Sequence, residues 1–87
     1  FSPGDATVYM LFGIYLHNST RYKMAENNYN ISLQFDPENI QTHYNFGLLL
    51  VDRRRYEEAK KHAQFVYANN YPLPGLKNKL ADAGYWP

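Results

Sequence analysis

Three histidines, His17, His43 and His62, are the side chains of this sequence best suited to proton transfer or metal binding near neutral pH. Their spacing serves neither purpose. No two stand four residues apart, as zinc ligands on one helix face would, and no cysteine is present to complete a ligand set. No nucleophile lies beside a base in a recognisable motif. The glycines are isolated instead of gathered into a phosphate-binding loop, and the carboxylates are scattered. Enzymatic chemistry has no starting point here, and neither a metal nor a cofactor is expected. Arg53-Arg54-Arg55 offers an anionic contact, but Glu57 and Glu58 follow directly. The run is therefore expected to be a solvated turn balanced by those two carboxylates. Asn18-Ser19-Thr20 and Asn30-Ile31-Ser32 match the glycosylation sequon, a match that chance supplies often.

What remains is recognition. The chain has 87 residues, enough for one domain but near the size at which a single core is marginal. Disulfides cannot compensate without cysteine, and a cysteine-free chain suits either redox compartment. A net charge of +1 exerts no strong pull toward nucleic acid or an anionic membrane. The longest apolar run is too short to span a bilayer, so no direct membrane insertion is expected. Beginning at Phe1 and not at Met, the chain reads as a trimmed or mature fragment. Nine tyrosines supply apolar area with a polar tip, which suits a thin structure whose core never lies far from water.

The elements that would position a recognition surface repeat. YMLFGIYL, from Tyr9 to Leu16, lies over HYNFGLLL, from His43 to Leu50, at an offset of 34 residues. At that offset Phe12 matches Phe46, Gly13 matches Gly47, Leu16 matches Leu50, Arg21-Tyr22 matches Arg55-Tyr56, Ala25 matches Ala59 and Pro3 matches Pro37. Each unit divides into two helical stretches. The first unit runs from about Ala6 to Asn18, capped by Asp5, and from about Tyr22 to Phe35 before Pro37. The second runs from about Ile40 to Asp52, capped by Asn39, and from about Tyr56 to Asn69. Nothing alternates with period two over the length of a strand, so the fold class is all-α.

A glycine inside a helix costs about 1 kcal/mol relative to alanine. Tyr9, Phe12, Gly13 and Leu16 share one helix face, as do His43, Phe46, Gly47 and Leu50. With Ala25 and Ala59 on the inner faces of the second helices, each glycine is expected to oppose an alanine and let two backbones approach.

These residues resemble the tetratricopeptide repeat family, whose 34-residue pattern is aromatic-x2-Leu-Gly-x2-Tyr, then Ala-x3-Phe, then Pro. Unit one supplies Tyr9, Phe12, Gly13, Leu16, Ala25, Tyr29 and Pro37. Unit two supplies His43, Phe46, Gly47, Leu50 and Ala59, and departs at Ala63 and Tyr71. The resemblance implies an antiparallel helix-hairpin superhelical array of five helices in a single domain, residues 1–87. Repeat one spans 6–39, repeat two 40–73, and a capping helix and tail 74–87. In the tail Leu80 takes the position of Phe12 and Phe46, and Leu76, Leu80 and Ala83 are expected to cover the flank of unit two. Gly84 would stop that helix. Such an array is short, since three or more repeats are usual, so either a longer array or a second chain would share a surface with it.

The resemblance further implies a protein–protein interaction scaffold whose first helices line a concave groove for a peptide or partner helix. The groove positions would be Thr7, Met10, Leu11, Ile14, His17 and Asn18, then Gln41, Tyr44, Asn45, Leu48, Val51 and Asp52. Met10, Ile14 and His17 are spaced four and three apart, as are Tyr44, Leu48 and Val51. They form a second apolar face beside the first, expected to be open unless Tyr85 and Trp86 fold back over it. Asn45 occupies one position of the clamp that binds C-terminal carboxylates in some members, but the basic groove residues are missing. The principal site is therefore Met10, Ile14, His17, Tyr44, Asn45, Leu48 and Val51, facing a protein or peptide, with homo-oligomerisation as one form of that interaction. The alternative is a self-associating structural module or an accessory domain of a larger protein. A nucleic-acid-binding helical repeat fits the balanced charge less well.

Overall fold

A computed structural model describes residues 5–87. Its elements are five helices: α1 Ala6–Asn18, α2 Tyr22–Phe35, α3 Ile40–Asp52, α4 Tyr56–Ala68 and α5 Gly75–Asp82. The described residues contain no strand. α1 packs along α2 and α3 along α4, and α3 also meets α1, α2 and α5. The architecture is all-α, two helix hairpins and a terminal helix, only 17 Å across its thinnest axis. Helix bounds follow the periodicity closely; α4 stops one residue short, with Asn69 as its C-cap, and the last helix is confined to Gly75–Asp82.

Local chemistry sets these ends. The Asp5 carboxylate accepts the N–H of Thr7, and the Asn39 side chain accepts the N–H of Thr42, satisfying donors that the first helical turn leaves free. The hairpin turns close with Thr20 at φ 60° and Arg54 at φ 60°, one repeat apart. In each turn the next residue's N–H reaches five residues back, Arg21 to Leu16 and Arg55 to Leu50, both at 2.8 Å. α5 stops in the same way at Gly84, φ 84°.

The glycines have a different neighbour from the one expected. A Cβ on Gly13 would lie 2.5 Å from Cε1 of Tyr29, and a Cβ on Gly47 would lie 2.5 Å from Cδ2 of Leu76. The space is filled by a side chain, not by an approaching alanine backbone. In unit one the aromatic of α2 fills it. In unit two the residue matching Tyr29 is Ala63, which is too short, and α5 supplies Leu76 instead. Tyr29, Leu76 and Leu80 are all fully buried. Tyr29 also stacks on Phe46 with ring centroids 5.5 Å apart, so one ring joins α1, α2 and α3. Burial pushes its phenol well above the ordinary tyrosine range, and its hydroxyl has no hydrogen-bond partner among the described residues.

The hairpins are tied to each other by polar contacts as well. Ser32 Oγ donates to the Ala6 carbonyl at 2.7 Å and lies 2.8 Å from the Thr42 hydroxyl, all in the interior. Arg55, the N-cap of α4, donates to Glu58 in that helix and, at 2.6 Å, to Glu26 in α2, which Arg53 also contacts. The arginine run is therefore not merely a turn balanced by Glu57 and Glu58, for two of its three side chains grip the preceding hairpin.

One core expectation fails on the outer flank. Phe12 is 52% exposed, whereas its counterpart Phe46 is 5% exposed. α2 covers Phe46, and no described element stands in that place before α1.

Two consequences are measurable by denaturant unfolding. Gly47→Ala should destabilise the fold by about 1–3 kcal/mol through overpacking against Leu76. In a Leu76→Ala background the same change should become neutral or favourable, because the obstruction is gone and helix propensity improves; additive effects would show that Leu76 is not the neighbour that matters. Tyr29→Phe should stabilise by about 1 kcal/mol, since the ring keeps its packing and a buried unpaired hydroxyl disappears.

Candidate functional site

Positions expected to line a groove meet at one contact between the hairpins. His17 Nε2 on α1 lies 2.6 Å from the Asp52 carboxylate on α3, and both were expected to line the groove. The ring of His17 also meets Tyr22 edge-on at 5.8 Å. Beside this bridge, Ile14, His17, Asn45, Leu48 and Val51 are partly buried, while Leu11 is 55% exposed. Asn45 bonds back to the Gln41 carbonyl, which restrains its amide.

Two residues of the expected site do not reach the surface. Met10 is 6% exposed and Tyr44 is 8% exposed, which corrects the picture of an open stripe. Both belong to the same buried cluster as Leu50 and Leu76. Tyr71, from the segment before α5, lies against Tyr44 with ring centroids 4.5 Å apart, and a Cβ on Gly75 would lie 2.5 Å from the Tyr44 hydroxyl oxygen. Met10 and Tyr44 are floor, and the partly exposed residues are rim. The tail does not close over the rim. Tyr85 stacks on Tyr56 at 4.7 Å and Trp86 meets Tyr67 edge-on at 5.6 Å, so both aromatics lie against α4. Tyr67 also anchors α5: its hydroxyl donates to the Leu73 carbonyl and accepts the N–H of Lys77.

The sequence did not pair the other two histidines, but the fold brings them together. His43 Nε2 lies 2.7 Å from the Pro37 carbonyl and His43 Nδ1 lies 2.8 Å from His62 Nδ1. The first bond requires the Nε2–H tautomer of His43, so His62 donates to its bare Nδ1. Phe65 packs against His43 at 4.5 Å, and Phe46 against His62 at 4.8 Å. The rings border a shallow cleft of about 470 Å³, lined also by Pro37, Glu58, Lys61 and Phe65. Only knowledge of the hairpin pairing links positions 43 and 62, so no sequence spacing signals the pair. No groove residue lines this cleft. Among the described residues no three His, Cys, Asp or Glu side chains gather as a metal set, and no helix is long and apolar enough to cross a membrane.

Compared with family models, with curated proteins and with solved structures, the chain finds no match. The geometry must carry the functional reading.

Burial, reinforced by the facing His43, lowers the His62 pKa from 6.5 to about 4, against a small opposing pull from Glu58. The unfolded chain therefore binds more protons than the folded one between those two values. Stability contributed by neutral His62 should be intact above pH 6.5 and fall as pH drops toward 4. The loss is at most about 3 kcal/mol for a shift of this size and smaller for a ring only partly buried. Chemical denaturation at neutral and acidic pH should show this slope in the native chain and a shallower one in His62→Gln; identical slopes would assign the acid sensitivity elsewhere.

Proposed function

We propose that this chain is a protein-interaction module of the tetratricopeptide type, recognising a peptide or partner helix and performing no chemistry of its own. The single observation that carries this reading is the joined face of α1 and α3. Register-equivalent Ile14 and Leu48 remain partly open and apolar over a buried floor of Met10 and Tyr44. The His17–Asp52 bond fixes the two helices edge to edge. A partner lying across the face would gain contact with Leu11, Ile14, Leu48 and Val51 while the helices beneath are already held by the core, which limits the ordering cost of binding. The repeated N-caps at Asp5 and Asn39 and the repeated left-handed turn residues Thr20 and Arg54 support the tetratricopeptide reading.

The test is selection of displayed peptides against the folded chain, followed by NMR mapping of a selected binder. Resonances of Ile14, Leu48 and Val51 should shift, and Leu48→Asp should weaken binding about tenfold or more while leaving helicity unchanged. Shifts confined to the His43–His62 cleft would remove the α1–α3 face from the reading. Tyr44→Ala should instead lower stability by about 3–5 kcal/mol, as expected of a buried aromatic.

A further inference from the structure

Two helices of this chain dock by the same register positions. On α3, Thr42, Phe46 and Leu49 are buried: Phe46 stacks on Tyr29 of α2, and Thr42 lies within hydrogen-bond reach of Ser32 of α2. On α5 the corresponding residues are Leu76 and Leu80, with half-buried Ala83 at the C-cap. Both leucines are fully buried, where α5 packs on α3 and α4. On α1 these positions are Val8, Phe12 and Tyr15, and there the pattern breaks. Phe12 is 52% exposed and Tyr15 is 67% exposed, against 0% for Leu49.

The charge contact that locks the α2–α3 interface is unmade at α1 in the same register. Arg55 reaches back from its hairpin turn to Glu26 of α2. Its counterpart is Arg21, which is exposed and makes no ion pair among the described residues. An apolar face and a cation at its rim are thus presented in the arrangement that elsewhere in the chain already holds a helix.

We propose that the outer face of α1, formed by Val8, Phe12 and Tyr15 with Arg21 at its rim, docks a partner helix that presents what α2 presents to α3. That is a carboxylate, an aromatic residue three positions on, and a small hydroxyl residue three further, as in Glu26, Tyr29 and Ser32. The aromatic would lie on Phe12 as Tyr29 lies on Phe46, and the carboxylate would pair with Arg21 as Glu26 pairs with Arg55. A second copy of this chain is not suited to the role, because its own α2 surface is already covered by α3. This face is separate from the α1–α3 groove and does not depend on it.

The test uses the intact chain and a fluorescein-labelled peptide of residues 21–36, the α2 sequence itself. Titration followed by fluorescence anisotropy should saturate. Phe12→Asp or Tyr15→Asp in the protein should weaken binding about tenfold, since either puts a charge on the apolar contact. Arg21→Glu should weaken it about threefold, as expected of an exposed ion pair, and Glu26→Lys in the peptide should restore the lost affinity. No saturation below about 1 mM, or binding indifferent to all three protein variants, would overturn the proposal. So would sedimentation showing that the chain alone dimerises through Phe12 and Tyr15, because a second copy would then hold the face.

Discussion

At Gly13 the ring of Tyr29 occupies the space a Cβ would need, and at Gly47 a Leu76 methyl does the same. The packing of the helices depends on the placement of these two wedges. Tyr29 is held by α2, fills the gap in α1 and stacks on Phe46 in α3, so the distance between α1 and α2 and the stacking of the second hairpin are set by one side chain. Leu76 repeats the device from a different element, because Ala63 leaves the equivalent space empty in α4. A helix glycine is costly by itself; here the cost is offset by a close-packed interior in which gaps are few.

Polar contacts then select the angle at which the hairpins stack. Ser32 bridges the Ala6 carbonyl and the Thr42 hydroxyl, three helices meeting at one buried oxygen. A buried hydroxyl that loses its partner costs about 1–3 kcal/mol, so the three helices cannot slide independently. At the rim, Glu26 receives both Arg53 and Arg55. Near the surface such pairs add little stability each, but both tie α2 to the turn of the second hairpin. The His17–Asp52 bond likewise joins α1 to α3. Ile14 and Leu48, at equivalent positions of the two hairpins, both remain partly open.

Much of this architecture was legible residue by residue. The helix bounds follow from capping residues and turn residues, whose effects act within one turn of chain. The terminal helix could be placed because Leu76 and Leu80 keep the repeat's phase. The candidate site was only half legible. Periodicity puts Met10, Ile14, Tyr44 and Leu48 on one stripe, but cannot say that Tyr71 covers Tyr44. The His43–His62 pair was illegible for the same reason, since its residues are brought together only by the pairing of α3 with α4.

The sequence by itself determined the repeat length, the five helices, the N-caps of α1 and α3 and the phase in which the last helix docks. These depend on steric and hydrogen-bonding preferences that each residue exerts on its near neighbours. Tertiary structure alone decided which copy of a repeated position is buried. Phe12 and Phe46 are the same residue type and each precedes a helix glycine, yet one is open and the other enclosed. Burial belongs to the surface that arrives from elsewhere in the fold, and α2 arrives at Phe46 while no described element arrives at Phe12. The partners of Arg55, and the filling of Gly47 by α5 instead of α4, were settled in the same way, by groups far apart in the chain competing for one space.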